Sequence, residues 1–416
     1  MSRLTLFEAA CRVISDLEAS GYEAWIVGGA VRERLLGAPP STIREFDVST
    51  DAHPSAVEKI FPESFSVGRA FGVVRVRKSG HWIEVATFRT EASYSDGRRP
   101  DVIQFATASE DVLRRDFTVN GMMWNPLRDI FRDEVGGQAD LRAGLIRAIG
   151  NPSERFREDG LRLLRAVRFA SVRGFQLEEE TEAAVRSEGK RLEAVSRERI
   201  RDELVKMVER PESELARVGE LLYRTNLVQR ILPPLQGIVD PGPDLDVLAR
   251  IRVRSLPLFL AVLLRRALGG ASLHRDWVRL CEEVAEGLRL SLKEAQLLSD
   301  LLTDRRRYRQ LHRSRPYRVF LVATRPNSEL HEELLLGEGD AQDVLELLAE
   351  CRRSRGPVRS QPLLDGRDLL HEGFRKGRLL GFYLRIARLL QWEHPGKTRE
   401  EILSMLGQRR ARAEQS

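Results

Sequence analysis

The chain has 416 residues, 42% of them hydrophobic and 31% charged, so it can form about two to four compact domains and is no disordered tail. Its net charge of +6 permits a nucleic-acid partner without requiring one. Scattered cysteines without a CxxC pair and histidines without HxxxH spacing argue against a zinc ribbon, a disulfide framework and a histidine-built metal site. The longest apolar run, 256–264, is too short to cross a bilayer.

The N-terminal third alternates helical and strand-like patterns. Apolar residues from Leu4 to Leu17 recur at helical spacing and predict an amphipathic opening helix. Because Glu8 and Asp16 lie within this pattern, it is not a signal peptide, and we expect a soluble, cytoplasmic protein with no membrane partner. The helical and strand-like patterns together predict an α+β unit. Short apolar runs between turn residues predict its strands at 24–27, 46–48, 72–76, 82–88 and 102–105.

From about Pro152 the pattern becomes helical. Segments rich in Leu, Ala, Arg and Glu repeat with a period of about 3.6 residues, and prolines break them at Pro211, Pro233-Pro234 and 241–243. No strand-like alternation of any length returns. The remaining two thirds is therefore predicted to be all-α.

Two glycines and three acids of the first unit point to one chemistry. Gly28-Gly29 ends a strand and precedes a predicted helix, so the backbone there can approach a bound anion closely. Glu45 and Asp47 lie two residues apart on a predicted strand, about 6–7 Å apart at the backbone, and share a face that attracts a divalent cation. Glu84 interrupts an apolar strand and needs a metal, an arginine or solvent as partner. The structural alternatives are an ordinary turn and exposed acids on an edge strand.

Together these features suit metal-dependent nucleotidyl transfer, in which basic side chains hold the phosphates. A longer series of motifs extends this pattern. In order, they are Gly28-Gly29-Ala30-Val31-Arg32, Glu45-Phe46-Asp47, 84–89, Tyr94, 96–100, 114–120, Gly136-Gly137 with Asp140-Leu141, 155–159 and 162–169. Through these motifs, residues 22–175 resemble the class II tRNA nucleotidyltransferases (CCA-adding enzymes) and their bacterial poly(A) polymerase relatives.

The resemblance implies an α+β nucleotidyltransferase head at 1–150, followed by all-α domains: a neck with a base-reading motif at 151–210, a body at 211–330 and a tail at 331–416. It implies that Glu45 and Asp47 hold catalytic Mg²⁺, with Glu84 as the third acid. The nucleotide-binding residues that it implies are Gly28, Gly29, Arg32, Arg115, Asp116, Asn120, Glu158, Asp159, Arg162, Arg165 and Arg168.

The segment from Glu158 to Arg162 looks like the family's base-reading motif. Cytosine and adenine each present an amino donor beside a ring-nitrogen acceptor, so the Asp159 carboxylate and the Arg162 guanidinium can pair with either base. Uracil and guanine have a carbonyl in place of that amino group, and the Asp159 carboxylate would repel it. A well-placed polar pair favours the matching base over the wrong one by about 1–3 kcal/mol. Glu158 lies four residues before Arg162 and can orient it. The structural alternative is a surface helix carrying ion pairs.

The implied activity is template-independent addition of CMP and AMP, from CTP and ATP, to the 3′ end of tRNA, with release of pyrophosphate. DNA is not an expected partner. The arginine-rich stretch from Arg305 to Arg318 contains no acid and is a candidate for phosphate contacts. Tyr308 and Tyr317 lie within it and are available to stack on bases. Its candidate arginines are Arg305, Arg306, Arg307, Arg309 and Arg313.

Two departures from the family pattern keep alternatives open. Glu45 stands where the family has Asp, which moves a carboxylate by roughly 1.5 Å at a Mg²⁺ site that demands octahedral geometry. Gly160 interrupts the predicted base-reading helix at a cost of about 1 kcal/mol. The alternative functions are a catalytically weakened homologue that binds RNA, a poly(A) polymerase, and an enzyme that adds only A or only CC. The intact segment from Thr90 to Pro100 favours competence for A.

Overall fold

The computed structural model of the chain describes residues 5–68, 72–92, 102–171, 174–268, 273–311, 319, 322–323, 325, 327–339, 341–354, 362–374, 376–394 and 396–414. These residues form two compact units. The first runs to Leu245 and includes Val284–Leu290, and the second consists of Asp246–Glu283 and the chain from Ser291 onward. In the described ranges, no helix combines the length and apolar character needed to span a membrane. The boundaries between the four predicted domains stay a prediction.

A seven-stranded mixed sheet organises the first unit, in the order β3-β4-β5-β2-β1-β8-β9. Strand β2 runs parallel to β5, and the other neighbours are antiparallel. The strands are β1 (Ala24–Val27), β2 (Asp47–Thr50), β3 (Ser64–Gly68), β4 (Val73–Lys78), β5 (His81–Thr87), β8 (Met123–Asn125) and β9 (Ile130–Arg132). A separate hairpin pairs β6 (Arg89–Ala92) with β7 (Val102–Phe105).

Helix α1 (Leu6–Ala19) covers one face of this sheet. A capping box between Thr5 and Glu8 begins the helix, and its buried apolar side contacts β1, β2, β4 and β5. On the opposite face, α4 (Ala108–Leu113) packs over Trp25, Val27 and Met123, whereas Trp82, Glu84 and Arg75 on β5 and β4 stay exposed. Lys78 points to the α1 side, where it pairs with Asp16 at 2.5 Å.

The position of β2 corrects one sequence expectation. The strand begins at Asp47, so Glu45 lies in the extended segment before it and not on the strand as predicted. Because β1 and β5 pair with the two sides of β2, the alternative of acids on an edge strand is wrong.

Helices follow the sheet, with one small exception to the all-α expectation: β10 (Leu145–Ile146) pairs with β11 (Gln176–Leu177). The remaining helices of the first unit are α2 (Gly29–Leu35), α3 (Pro54–Ile60), α4 (Ala108–Leu113), α5 (Gly137–Ala143), α6 (Pro152–Glu158), α7 (Leu161–Ser171), α8 (Glu179–Ser187), α9 (Arg197–Val208), α10 (Leu215–Arg224) and α11 (Val228–Ile231).

Helices also make up the described part of the chain beyond Gly242. In α13 all nine side chains are buried, which explains the longest apolar run as a core helix. The helices are α12 (Gly242–Arg250), α13 (Leu256–Leu264), α14 (His274–Gly287), α15 (Leu292–Thr303), α16 (Arg305–Arg309), α17 (Ser328–Glu338), α18 (Gln342–Ser354), α19 (Gly366–His371), α20 (Arg378–Glu393) and α21 (Arg399–Glu414).

The prediction of one continuous helix through Glu158 and Arg168 is wrong. Helix α6 ends at Glu158, Asp159 is extended at φ −142°, and α7 begins at Leu161. A Cβ on Gly160 would lie 2.5 Å from the Arg191 carbonyl oxygen. Gly160 is therefore required by a close backbone approach at the junction, and the predicted helix-interior penalty does not apply.

Candidate functional site

A cavity of about 750 Å³ opens over the free face of the sheet and is closed by α2, α7 and α9. Nine basic and five acidic side chains face it. Its lining residues are Val27, Gly28, Gly29, Arg32, Glu45, Asp47, Val48, Ser49, Val73, Glu84, Ala86, Arg114, Arg115, Asp116, Asn120, Asp159, Leu161, Arg162, Arg165, Arg168, Phe169, Arg199, Lys206 and Arg210. The structure thus brings together the predicted catalytic and nucleotide-binding residues, except Glu158, which does not line the cavity.

The acids occupy the sheet floor of the cavity. Asp47 and Glu84 are direct partners across β2 and β5, so their side chains project from the same face. Burial, reinforced by the negative charges of Glu45 and Glu84, raises the pKa of Asp47 to about 6. Glu84 is half-exposed, and its carboxylate lies 3.6 Å from the Arg75 guanidinium. This clustering of negative charge favours a cation.

The donor set fits a hard divalent cation such as Mg²⁺. Among the described residues, no group of three or more His, Cys, Asp or Glu side chains is arranged to hold a metal ion. Mg²⁺ does not need one, because it commonly binds one or two carboxylates and takes its other ligands from water and substrate phosphates. The raised pKa of Asp47 is the observation that fits, since a bound cation would offset both the burial of its charge and the repulsion from Glu45 and Glu84.

Opposite the acids, three arginines surround one aromatic ring. The guanidinium carbons of Arg32, Arg165 and Arg168 lie 5.0, 5.4 and 4.5 Å from the centroid of Phe169. Cation–π attraction and the ring's bulk hold these charges on one wall. The wall lies next to Gly28, whose φ of +70° ends β1 in a backbone conformation that glycine adopts readily. Such a wall can neutralise a polyphosphate.

Asp116 connects this wall to the head. Its carboxylate accepts hydrogen bonds from Nε of Arg165 at 2.7 Å and from the Asn120 side-chain amide at 3.0 Å, and Asn120 in turn accepts from Arg32. Burial opposes ionisation, yet Arg165 and Asn120 outweigh it and lower the pKa of Asp116 to about 2. Both arginines are therefore fixed by one charged hub.

A second buried carboxylate supports the wall from behind. Glu203 on α9 is 1% exposed and lies 3.3 Å from Arg168 and 3.9 Å from Arg165. Burial, opposed by Glu203, lowers the pKa of Arg168 to about 10, so this guanidinium stays charged at neutral pH.

The predicted base-reading residues meet at the junction of α6 and α7. Glu158 forms the expected i,i+4 ion pair with Arg162, whose guanidinium also donates to the carbonyls of Arg155 and Arg114 at 3.1 and 2.9 Å. Asp159 accepts from the Leu161 amide at 3.0 Å and from Arg199 at 2.8 Å. Asp159 and Arg162 both line the cavity, so a fixed acceptor and a fixed donor face one space.

The sequence patterns did not predict several of the residues that line the cavity. Phe169 lies within the 162–169 motif, but nothing in its spacing indicates that three arginines would surround its ring. The others lie on β2, on α9 or just after it, and nothing in their spacing indicates them. They are Ser49, Arg199, Lys206 and Arg210. Glu203 on α9 was also missed, and it pairs with two of the arginines without lining the cavity.

The arginine-rich stretch has a different environment from the one expected. Arg305 and Arg309 are ion-paired with Glu338, which is 4% exposed, and Arg307 lies 2.9 Å from Asp304. Tyr308 is fully buried, with its ring 4.2 Å from that of His331, so the expectation that it stacks on bases is wrong. RNA contact by these arginines stays a prediction. Some of the sequence predictions fall on positions outside the described residues, namely Arg313, Tyr317, the Arg306 side chain and 93–100.

Comparisons with known proteins agree with this site. A family described as the poly A polymerase head domain matches residues 24–147, and one described as a probable RNA and SrmB-binding site of polymerase A matches residues 174–238. The CCA-adding enzyme of Lactobacillus helveticus (strain DPC 4571) is 33% identical over 392 residues, which cover 92% of each chain.

Two solved structures share the fold. The Bacillus stearothermophilus CCA-adding enzyme in complex with CTP has a TM-score of 0.73 and 27% identity, over 98% of each chain. The Thermotoga maritima CCA-adding enzyme complexed with tRNA has a TM-score of 0.68 and 19% identity, over 97% of this chain and 96% of that one. The mixed head sheet with its helical extension defines a nucleotidyltransferase. The chain belongs to the CCA-adding enzyme family.

Proposed function

We propose that this chain adds CMP and AMP, taken from CTP and ATP, to the 3′ end of tRNA without a nucleic-acid template. The observation that carries the proposal is one cavity in which Asp47 and Glu84 face an arginine wall and the Asp159–Arg162 pair. Membership of the CCA-adding enzyme family supports the substrates. With tRNA and nucleoside triphosphates as substrates, the enzyme would work in the cytoplasm.

The reaction is an in-line displacement at phosphorus. The 3′-hydroxyl of the RNA attacks the α-phosphate of the nucleotide, the bond to the β-phosphate breaks, and pyrophosphate leaves. Arg32, Arg165 and Arg168 would hold the triphosphate and offset the charge that develops on the leaving group. Glu45 and Asp47 would hold Mg²⁺, which when bound supplies Lewis-acid stabilisation of phosphate charge.

Base choice would rest on Asp159 and Arg162. The Asp159 carboxylate would accept from the amino group of cytosine or adenine, while Arg162 would donate to the adjacent ring nitrogen. Arg199 and Glu158 already hold these two side chains before a nucleotide binds. Uracil and guanine would place a carbonyl against the carboxylate, and this repulsion rejects them.

The decisive experiment uses purified protein and three tRNA substrates, ending before CCA, at CC and at CCA. Each is incubated with CTP, with ATP and with both, and products are separated at single-nucleotide resolution. Ordered addition of C, C and A supports the proposal. Long A tracts on unrelated RNAs identify a poly(A) polymerase, addition of only A or only CC identifies a partial activity, and no incorporation identifies a binding homologue.

The Glu45→Asp variant addresses the departure from the family pattern. Glu45 is exposed and precedes β2, so its longer side chain would offset its position outside the strand. We expect the shorter acid to lower kcat, with little change in thermal stability. A large increase in kcat would show instead that the native glutamate impairs turnover.

A further inference from the structure

The open face of the head sheet carries an aromatic pair next to the acids. Phe65 on β3 and Trp82 on β5 meet edge to face, with ring centroids 5.0 Å apart, and they are 46% and 43% exposed. Apolar rings of this size are mostly buried, so two exposed rings in contact form an unusual surface. We call this pair, with Arg75 and Arg77 of β4, the aromatic platform.

Strand register places the platform on the same face as the acids. Asp47 pairs with Glu84, Glu84 with Arg75, and Arg75 with Phe65, in one row across four strands. Residues paired across strands project to the same side of a sheet. Trp82 lies two residues from Glu84 on β5, about 7 Å along the strand. The platform therefore continues the floor of the cavity beyond the acids.

The charge pattern suits a nucleic-acid strand. Arg77 lies 6.0 Å from the centroid of the Trp82 ring and 3.6 Å from the exposed Glu63 carboxylate. Arg75 lies beside Glu84. Exposed aromatic faces flanked by guanidinium groups bind single-stranded nucleic acid by base stacking and phosphate contact.

In-line geometry sets which side of the acids the RNA must occupy. The arginine wall for the triphosphate lies at β1, α2 and α7, on one side of Asp47. The attacking hydroxyl and the leaving pyrophosphate lie on opposite sides of the reacting phosphorus. The RNA therefore arrives from the other side of Asp47, where β5, β4 and β3 carry the platform.

We propose that Trp82 and Phe65 stack on the last bases of the tRNA 3′ end and hold its hydroxyl against the acids. The distance of about 7 Å from Trp82 to Glu84 spans one or two stacked bases, which rise by about 3.4 Å each. This proposal rests on the proposed function, because it assigns the RNA side of that site. Stacking tolerates any base, so the platform suits a primer end whose terminal base changes at each addition.

The test measures binding of fluorescent tRNA lacking CCA to the full chain, without nucleotide, at fixed salt. Trp82→Ala is expected to raise the Kd for this tRNA about tenfold, and Phe65→Ala less. Trp82→Phe keeps a ring and should remain within about twofold of the native protein. Ile130→Ala is the matched control, since Ile130 is 47% exposed on β9 at the opposite sheet edge.

Steady-state kinetics separates the two substrates. Trp82→Ala should raise KM for tRNA and leave KM for CTP within about twofold. A Kd for tRNA that stays native in Trp82→Ala and Phe65→Ala overturns the inference, as does an equal change in Ile130→Ala. A shift in oligomeric state with unchanged tRNA binding also overturns it and marks the platform as a contact between copies. Absence of incorporation by the native chain counts against the proposed function instead, because tRNA binding is measured separately.

Discussion

Asp116 and Arg165 form an ion pair with Nη2 and Oδ2 2.6 Å apart, and this pair joins the head to helix α7. The same aspartate is held by Asn120, which contacts Arg32, so the pair orders two of the arginines around Phe169. A buried charge pair is costly to break, because the remaining charge keeps its desolvation penalty. Stability and nucleotide binding should therefore depend on the same contact.

Asp116→Asn should destabilise the protein by about 1–3 kcal/mol, because it takes from the partly buried Arg165 its nearest anion and leaves only Glu203 at 3.9 Å. The double variant Asp116→Asn/Arg165→Gln should lose less than the sum of the two single changes. Chemical denaturation of the four proteins of this cycle measures the coupling. Strict additivity would show that the pair contributes nothing as a unit.

The same pair has a defined pH dependence. The folded pKa of Asp116, about 2, lies below its usual value of 3.8, so its stabilisation is present above pH 3.8 and is lost as the pH falls toward 2. The native protein should lose stability through this window, while Asp116→Asn should show a shallower slope there. Thermal unfolding between pH 2 and 5 provides the comparison.

Asp47 should show the opposite sign. Its folded pKa of about 6 lies above the usual 3.8, so its contribution to stability is present below pH 3.8 and is lost as the pH rises through 6. Without divalent cations, Asp47→Asn should therefore raise the melting temperature at pH 7.5 and not at pH 3.5. Adding Mg²⁺ should stabilise the native protein more than the variant. Equal responses to Mg²⁺ would argue against a cation at Asp47, and the variant should also be inactive.

Glu158→Gln tests whether the ion pair orients Arg162. Loss of the charged partner should lower kcat/KM for CTP by about 10- to 100-fold and weaken rejection of UTP, because Arg162 is then held only by its two carbonyl acceptors. Glu154→Gln on the exposed side of α6 is the matched control. Incorporation assays with all four nucleotides measure both effects, and equal losses in the two variants would contradict the orienting role.

Gly160→Ala should cost about 1–3 kcal/mol and weaken nucleotide selection, because its Cβ would lie 2.5 Å from the Arg191 carbonyl oxygen and displace the junction. Gly287→Ala, where a Cβ meets nothing within 4 Å at the end of α14, should be neutral or slightly stabilising. The melting temperatures of the two variants compare them directly. A native-like Gly160→Ala protein would mean that the backbone adjusts at no cost.

Local sequence patterns were sufficient for most elements of the head. Short apolar runs between turn residues located β1 and β7 at their observed bounds, and helical periodicity located α1. These patterns work because side-chain burial on a regular backbone depends on near neighbours in sequence. Motif order also indicated the residues that meet in the cavity.

Contacts between distant segments could not be read in this way. Gly160 appeared to interrupt a helix, but its role depends on the Arg191 carbonyl 31 positions away. The sequence suggested that Tyr308 could stack on RNA bases, but tertiary packing buries its ring against His331. Arg199 gave no signal of its contact with Asp159.

The sequence by itself determined the class of chemistry, because the types and spacing of acids, glycines and arginines restrict which reaction their side chains can support. Only the tertiary structure decided how these groups are arranged: the acid row across β2 and β5, the arginines around Phe169, and the aromatic platform. Each is set by strand order and helix packing, which join residues by distance in space and leave no periodic trace along the chain.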